Sequence, residues 1–244
     1  QRQMCIRDRV NPDHYTVFGG GTNGLTIRNL KALSCKGWSD GIDLMCCRDV
    51  LIDNVFLRNS DDCIAIYNHR WNWRGGSSNI IVQNSVLWAD VAHPINMGGH
   101  GDSDSLTGEV LEDVTVRNVD ILEHDEDDSL YQGSMNIDCG DKNIVRNVLF
   151  EDIRVESIQD GRLFCLKVLY NPKYNKAPGN LIEGITFRNI TYDGVGENPS
   201  IIKGIDENHS VRNVTFENVV INGKRMKNVD EFITNEFVKD IKVK

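Results

Sequence analysis

One short pattern of apolar and polar positions recurs along the chain: an apolar residue, a variable one, a second apolar one, a polar one, then Asn or Asp. It reads Leu25-Thr26-Ile27-Arg28-Asn29, Val50-Leu51-Ile52-Asp53-Asn54, Ile80-Ile81-Val82-Gln83-Asn84 and Val114-Thr115-Val116-Arg117-Asn118. Three further copies are Val148-Leu149-Phe150-Glu151-Asp152, Ile185-Thr186-Phe187-Arg188-Asn189 and Val214-Thr215-Phe216-Glu217-Asn218. Alternation with a period of two, carried by β-branched and aromatic residues, predicts a strand at each copy. The closing Asn or Asp suits a left-handed corner. These closing residues are 25, 30, 34, 34, 37 and 29 positions apart, too irregular for a repeat of fixed length but suited to coils with insertions on one side. Second apolar runs follow most copies, among them Ile42-Asp43-Leu44, Ile64-Ala65-Ile66, Ile95-Asn96-Met97, Met135-Asn136-Ile137 and Leu163-Phe164-Cys165-Leu166.

Several short strands per period, almost no helical periodicity and only 5 prolines describe a chain that winds round and stacks on itself. The expected fold is all-β, a right-handed single-stranded parallel β-helix. A leucine-rich repeat would need a Leu-x-x-Leu-x-Leu framework, and a β-sandwich would not repeat one motif in register. The expected boundaries are a non-native or disordered start at 1–10, the β-helix at 11–228, and a C-terminal cap or tail at 229–244. The chain begins on Gln1 rather than Met, without the apolar core of a signal peptide, so an N-terminally truncated piece of a longer protein is expected.

Composition narrows the partners. With 36 acidic and 27 basic residues the net charge is -9, which argues against nucleic acid. No run of about 18 apolar residues occurs, so no membrane span is expected, and the chain is expected to act as a monomer. The 7 cysteines are odd in number and lack zinc-like spacing. Cys63 and Cys165 sit in apolar runs and are read as buried thiols.

Stacking brings residues one coil apart in sequence to within about 4.8 Å on one face. Trp38-Ser39-Asp40-Gly41-Ile42-Asp43 is followed by Asn59-Ser60-Asp61-Asp62-Cys63-Ile64, and Asp40 to Asp61 is a step of 21 residues, close to one short coil. Asp40, Asp61 and Asp62 should therefore meet, and crowded carboxylates drive at least one pKa upward. An acid beside a base is what glycoside hydrolysis requires. Asp43, in strand phase after the turn, is read as a turn residue.

These two segments resemble the Asn-Thr-Asp-Gly and Gly-Asp-Asp-Cys-Ile-Ala motifs of glycoside hydrolase family 28, the polygalacturonases and their relatives in the pectin lyase-like β-helix superfamily. In motif terms the match runs over residues 24–140. The resemblance implies an inverting hydrolase of a polysaccharide or oligosaccharide, secreted or periplasmic, with no metal or other cofactor. It makes Asp61 the general acid, while Asp40 and Asp62 hold and deprotonate the attacking water. Inversion expects roughly 6.5–9.5 Å between acid and base carboxyls. For the family's Gly-His-Gly there are two candidates: His100, which matches the letters, and His93, which precedes an apolar run as the family histidine does.

One departure stands out. Where the family holds a substrate carboxylate with Arg-x-Lys, this chain reads Ser134-Met135-Asn136-Ile137-Asp138. Either Arg162 and Lys167 substitute for those cations, leaving Asn136 as a sugar contact, or the substrate is neutral, as in the dextranase-like family 49. The insertion Tyr67-Asn68-His69-Arg70-Trp71-Asn72-Trp73-Arg74-Gly75-Gly76 offers Arg70, Trp71 and Trp73 as a sugar-stacking wall, or as rings folded over the coil edge. Trp38 and Trp88 are read as packing residues, the acidic run 124–128 as a solvated loop rather than a calcium site, and Tyr170 as a candidate sugar contact. A calcium-dependent lyase and a non-catalytic sugar-binding β-helix are the rival functions.

Overall fold

The computed structural model describes residues 2–5, 8–194 and 198–244. Gln1, Ile6 and Arg7, part of the expected start at 1–10, lie outside the described residues.

The strands are β1 (Arg2–Cys5), β2 (Asp8–Val10), β3 (Val17–Gly20), β4 (Asn23–Arg28), β5 (Lys31–Leu33), β6 (Ile42–Met45) and β7 (Arg48–Asp53). They continue with β8 (Phe56–Asn59), β9 (Ile64–Tyr67), β10 (Ser77–Ala89), β11 (Ile95–Met97), β12 (Val110–Glu123), β13 (Met135–Cys139) and β14 (Ile144–Val155). The last are β15 (Phe164–Val168), β16 (Leu181–Tyr192), β17 (Ile201–Lys203), β18 (Ser210–Ile221), β19 (Lys224–Arg225) and β20 (Val238–Val243).

All seven sequence repeats fall in one sheet, in the order β4-β7-β10-β12-β14-β16-β18. A second sheet stacks β3-β6-β9-β11-β13-β15-β17. Pairing between successive coils is parallel throughout both stacks, which makes the fold a parallel β-helix. At the start of the stack β1 pairs with β4 and β2 with β5; at its far end β20 lies parallel on β18.

The repeat explains the geometry. Its second apolar position forms a buried column in which Ile27, Ile52, Val82, Val116, Phe150, Phe187 and Phe216 are successive register partners. Phe150, Phe187 and Phe216 stack at 5.1 Å with nearly parallel rings, and Phe164 from the facing sheet packs 4.6 Å from Phe187. Removing each ring from water contributes roughly 1.5–3 kcal/mol. The closing Asn and Asp of all seven copies adopt φ between 51 and 56°, the left-handed corner that these side chains tolerate best. Their amides ladder from coil to coil, Asn54 donating to Asn29 at 2.6 Å and Asn218 to Asn189 at 2.9 Å.

Cys35, Cys46, Cys47, Cys63, Cys139 and Cys165 are free thiols, the last three and Cys47 buried. Burial pushes the Cys63 and Cys165 thiols upward. Among the described residues no helix is long and apolar enough to cross a membrane.

Candidate active site

The second sheet builds the site. Ile42, Ile64, Ile95 and Met135 are register partners pointing into the core, so the residues two positions before the first three, Asp40, Asp62 and His93, follow one another up the stack. Backbone hydrogen bonds carry the ladder through them, from Gly41 N–H to Asp62 O and from Cys63 N–H to His93 O, each 2.8 Å. The coil partner of Asp40 is therefore Asp62, one residue beyond the expected 21-residue step. Gly41 permits this approach, because a Cβ there would run into the Cys63 carbonyl.

One carboxylate oxygen from each of Asp40, Asp61 and Asp62 lies within 4.8 Å of the others. This is tighter than the wide acid-to-base spacing expected for inversion. The three carboxyls are not equivalent. Burial pushes Asp62 upward, but the charge and hydrogen bonds of His93, with Asn96, outweigh it and hold Asp62 below the ordinary carboxylate value. His93 donates to Asp62 from its main-chain N–H at 3.1 Å and from Nδ1 at 2.7 Å, and Asn96 Nδ2 donates at 2.7 Å. The other imidazole nitrogen of His93 meets the Tyr131 carbonyl. Burial disfavours the imidazolium, yet the Asp62 charge and hydrogen bond raise His93 to about 9. With both ring nitrogens engaged, His93 fixes Asp62 in its ionised form.

Asp61 differs. Burial first, then the neighbouring Asp62 charge, raise it to about 6, and its Oδ1 accepts the Asp62 N–H at 3.0 Å. Asp40 is raised much further by burial and then by the charge of Asp43. Asp43 corrects the reading as a turn residue. It sits within β6, fully buried, its carboxyl oxygens accept no hydrogen bond among the described residues but face the Asp40 carboxyl, and burial raises it well above the ordinary value. Asp40 and Asp43 thus form a proton-holding pair beneath the ionised Asp62.

The trio opens into a cavity of about 440 Å³, within the range of small-ligand sites. His93 and His100 both line it. His100 is no surface-loop histidine: it packs edge-on against Tyr67 with centroids 4.8 Å apart, and burial, then the charge of Arg70, lower it to about 3. Trp71 and Arg70 line the cavity, the guanidinium 4.7 Å from the indole centroid. Trp73 does not. It folds over the coil edge, its ring against Gly20 and 6.2 Å from Phe18, so the two tryptophans of the insertion divide between the two expected roles.

The expected contacts further along the stack do not reach the cavity. Asn136 is fully buried and donates to Asn96 at 2.9 Å and Asp138 at 3.1 Å. Arg162 turns away to the Pro199 carbonyl. Lys167 is buried and pairs with Asp138 at 3.3 Å. Tyr170 is half exposed outside the cavity, whose wall on that side is instead Tyr131, Lys173 and Tyr174. Trp38 corrects the packing assignment, being 71% exposed and part of the lining. Trp88 does pack, with Arg58 4.1 Å above its ring. The acidic run 124–128 is more than a solvated loop, since Glu126, Asp127 and Asp128 form a wall of the cavity.

A hard cation would find oxygen-rich donors in two places among the described residues. One is the trio; the other is His69, Asp102 and Glu109, whose ligand atoms also lie within 4.8 Å of one another, outside the cavity lining.

The model of the family described as glycosyl hydrolases family 28 matches residues 14–238. An exopolygalacturonase of Cochliobolus carbonum is 25% identical over 208 residues, covering 76% of this chain and 43% of the fungal protein. Among solved structures, a family 28 exopolygalacturonase of Yersinia enterocolitica has a TM-score of 0.65 at 17% identity, covering 96% of this chain and 44% of its own. A polygalacturonase of Erwinia carotovora ssp. carotovora has the same TM-score of 0.65 at 16% identity, covering 94% and 56%. The chain thus spans about half the length of these relatives.

Proposed function

The chain belongs to glycosyl hydrolase family 28, and from that premise we propose that it hydrolyses O-glycosidic bonds of a polysaccharide with inversion, as the relatives named polygalacturonases suggest. What carries this reading is the separation of two adjacent carboxyls, Asp62 held ionised by His93 and Asn96, and Asp61 raised to about 6. Two neighbouring groups whose environments push their pKa values apart supply an acid and a base.

In the proposed reaction Asp61 transfers its proton to the glycosidic oxygen as the bond to the anomeric carbon breaks. A water attacks that carbon and gives its proton to Asp62, leaving Asp61 ionised and Asp62 protonated until the proton returns through solvent. Asp40, whose proton faces Asp43, accepts a hydrogen bond from the water through its other oxygen instead of acting as a second base. His93 is a positioning residue for Asp62. A polymeric substrate supports action outside the cell, or on its fragments in the periplasm, and a cleft lined by residues of one chain supports a monomer.

The short spacing of the trio favours one alternative, a retaining reaction through a glycosyl-enzyme, because retaining pairs lie only about 5–5.5 Å apart. The anomer formed in the first turnovers, followed by proton NMR, decides between them. Inversion with activity lost in Asp61→Asn and Asp62→Asn supports the proposal. Retention replaces the mechanism, unsaturated products identify a lyase, and unchanged cleavage by both variants removes the trio from the chemistry.

A further inference from the structure

One buried imidazole beside the site takes no part in the proposed chemistry. His124, which opens the acidic run after β12, is fully buried. Its Nδ1 lies 2.9 Å from the Ala92 carbonyl oxygen, and its Nε2 lies 3.1 Å from the Gly133 amide nitrogen. These partners fix the tautomer, because a carbonyl can only accept and a backbone N–H can only donate. Nδ1 therefore carries the proton, Nε2 offers its lone pair, and the ring is neutral. Burial first, then the charge of His93, lower it to about 3. The main chain holds the ring in place: the His124 N–H donates to the Ser157 carbonyl at 3.1 Å and the His124 carbonyl accepts the Gln159 N–H at 3.0 Å. Gly161 leaves room for the imidazole, where a Cβ would strike it.

The two segments joined by this ring are the two that hold His93. Ala92 directly precedes His93, and Gly133 lies two residues after Tyr131, whose carbonyl accepts from His93 Nε2. The His93 and His124 rings stack with centroids 6.1 Å apart and planes 27° apart. The charges of Asp62, Asp138, Asp61 and Glu126 also act on this pair. A protonated His124 would lose the bond from Gly133 and set a second cation against His93.

We infer that His124 is a positioning residue for His93: in its neutral Nδ1–H form it ties the Ala92 carbonyl to the Gly133 amide and so keeps His93 between the Tyr131 carbonyl and Asp62. Its effect on cleavage rests on the glycosidase reading above; its effect on His93 does not.

The test pairs His124→Phe, which keeps a flat ring and neither hydrogen bond, with His124→Gln, whose amide offers one donor and one acceptor. Nitrogen NMR of labelled histidine in the unmutated protein at about pH 7 should show His124 neutral with its proton on Nδ1, and His93 with both ring nitrogens protonated. In His124→Phe the His93 Nε2–H should exchange with water about tenfold faster or more, and kcat should fall about tenfold or more while KM stays within about twofold. His124→Gln should recover most of both. A charged His124, a proton on its Nε2, or a His124→Phe protein with unchanged kcat and unchanged His93 exchange overturns the inference. So does a loss of kcat while His93 exchange stays as it was, which would make the role of His124 one of packing alone. If neither variant folds, the histidine spectrum of the unmutated protein decides. Faster His93 exchange in His124→Phe, with no glycan cleaved by the unmutated protein, removes the hydrolase reading and leaves this one standing; cleavage with His93 exchange unmoved does the reverse.

Discussion

Replacing His93 with Gln removes the positive charge hydrogen-bonded to Asp62 while keeping a polar side chain in its place. His93 is fully enclosed and rises from the ordinary 6.5 to about 9 in the folded chain. At about 1.4 kcal/mol per pH unit, that rise corresponds to about 3 kcal/mol of folding stability, undiminished by solvent screening at a buried site. The sign follows from the direction. A group raised on folding contributes fully below its unfolded value and loses the contribution as pH climbs through its folded value. The variant should therefore unfold about 3 kcal/mol more easily at about pH 6, and the charge-dependent part of the deficit should vanish by about pH 10. In a domain of this size the deficit amounts to roughly 6–12 °C in melting temperature. Urea unfolding of both proteins across that range measures it. Asp62, Asp61 and Glu126, all lowered by the His93 charge, titrate higher in the variant, so the histidine is read from the alkaline limb, where the deficit closes as pH climbs through about 9. A deficit of constant size at all pH values would mean that lost packing, and not the charge facing Asp62, is what the substitution costs, and the account of why Asp62 stays ionised would fall with it.

Further outcomes follow from the same geometry. Cleavage measured as kcat/KM should fall about tenfold per pH unit above about 6, as Asp61 loses the proton it must donate, and Asp61→Asn should cut kcat by about 10² to 10⁴; a flat profile up to pH 8 would contradict the assignment. Trp71→Ala should raise KM severalfold with little change in melting temperature, and Trp73→Ala should do the opposite, because the first ring faces the cavity and the second covers Gly20. Phe187→Ala opens a void between the rings of Phe150, Phe216 and Phe164 and should cost about 3–5 kcal/mol in chemical denaturation.

The architecture could be read from the chain because each coil repeats the same local instruction. Apolar alternation sets the strand, and an Asn or Asp at a left-handed corner ends it, so the seven copies, Leu25 through Asn218, fell into neighbouring positions of one sheet. The column of Asp40, Asp62 and His93 was legible for the same reason, since a solenoid converts coil spacing into proximity. Asp43 was misread because a turn residue and a buried carboxyl in strand phase look alike until the neighbouring Asp40 is seen beside it. The cavity walls were harder still. They come from insertions whose length the repeat does not govern, so nothing in the pattern showed that Lys173 and Tyr174 reach the cavity while Tyr170 does not, or that Lys167 is consumed by Asp138. Trp38 stands directly before the Ser-Asp-Gly turn, outside both sheets, and is 71% exposed there; a large aromatic at such a turn looks like a packing residue until its exposure is seen.

The aromatic column from Phe150 to Phe216 lies in coils beyond those that hold the aspartates. In a solenoid each coil touches only its neighbours, so the far end can loosen while the catalytic coils stay wound. Partial unfolding monitored at Phe216 should then report on the far end of the stack, past the coil whose Lys173 and Tyr174 wall the cavity, and a tandem duplication of one whole coil past Lys203 would lengthen the stack while leaving the reacting groups where they are.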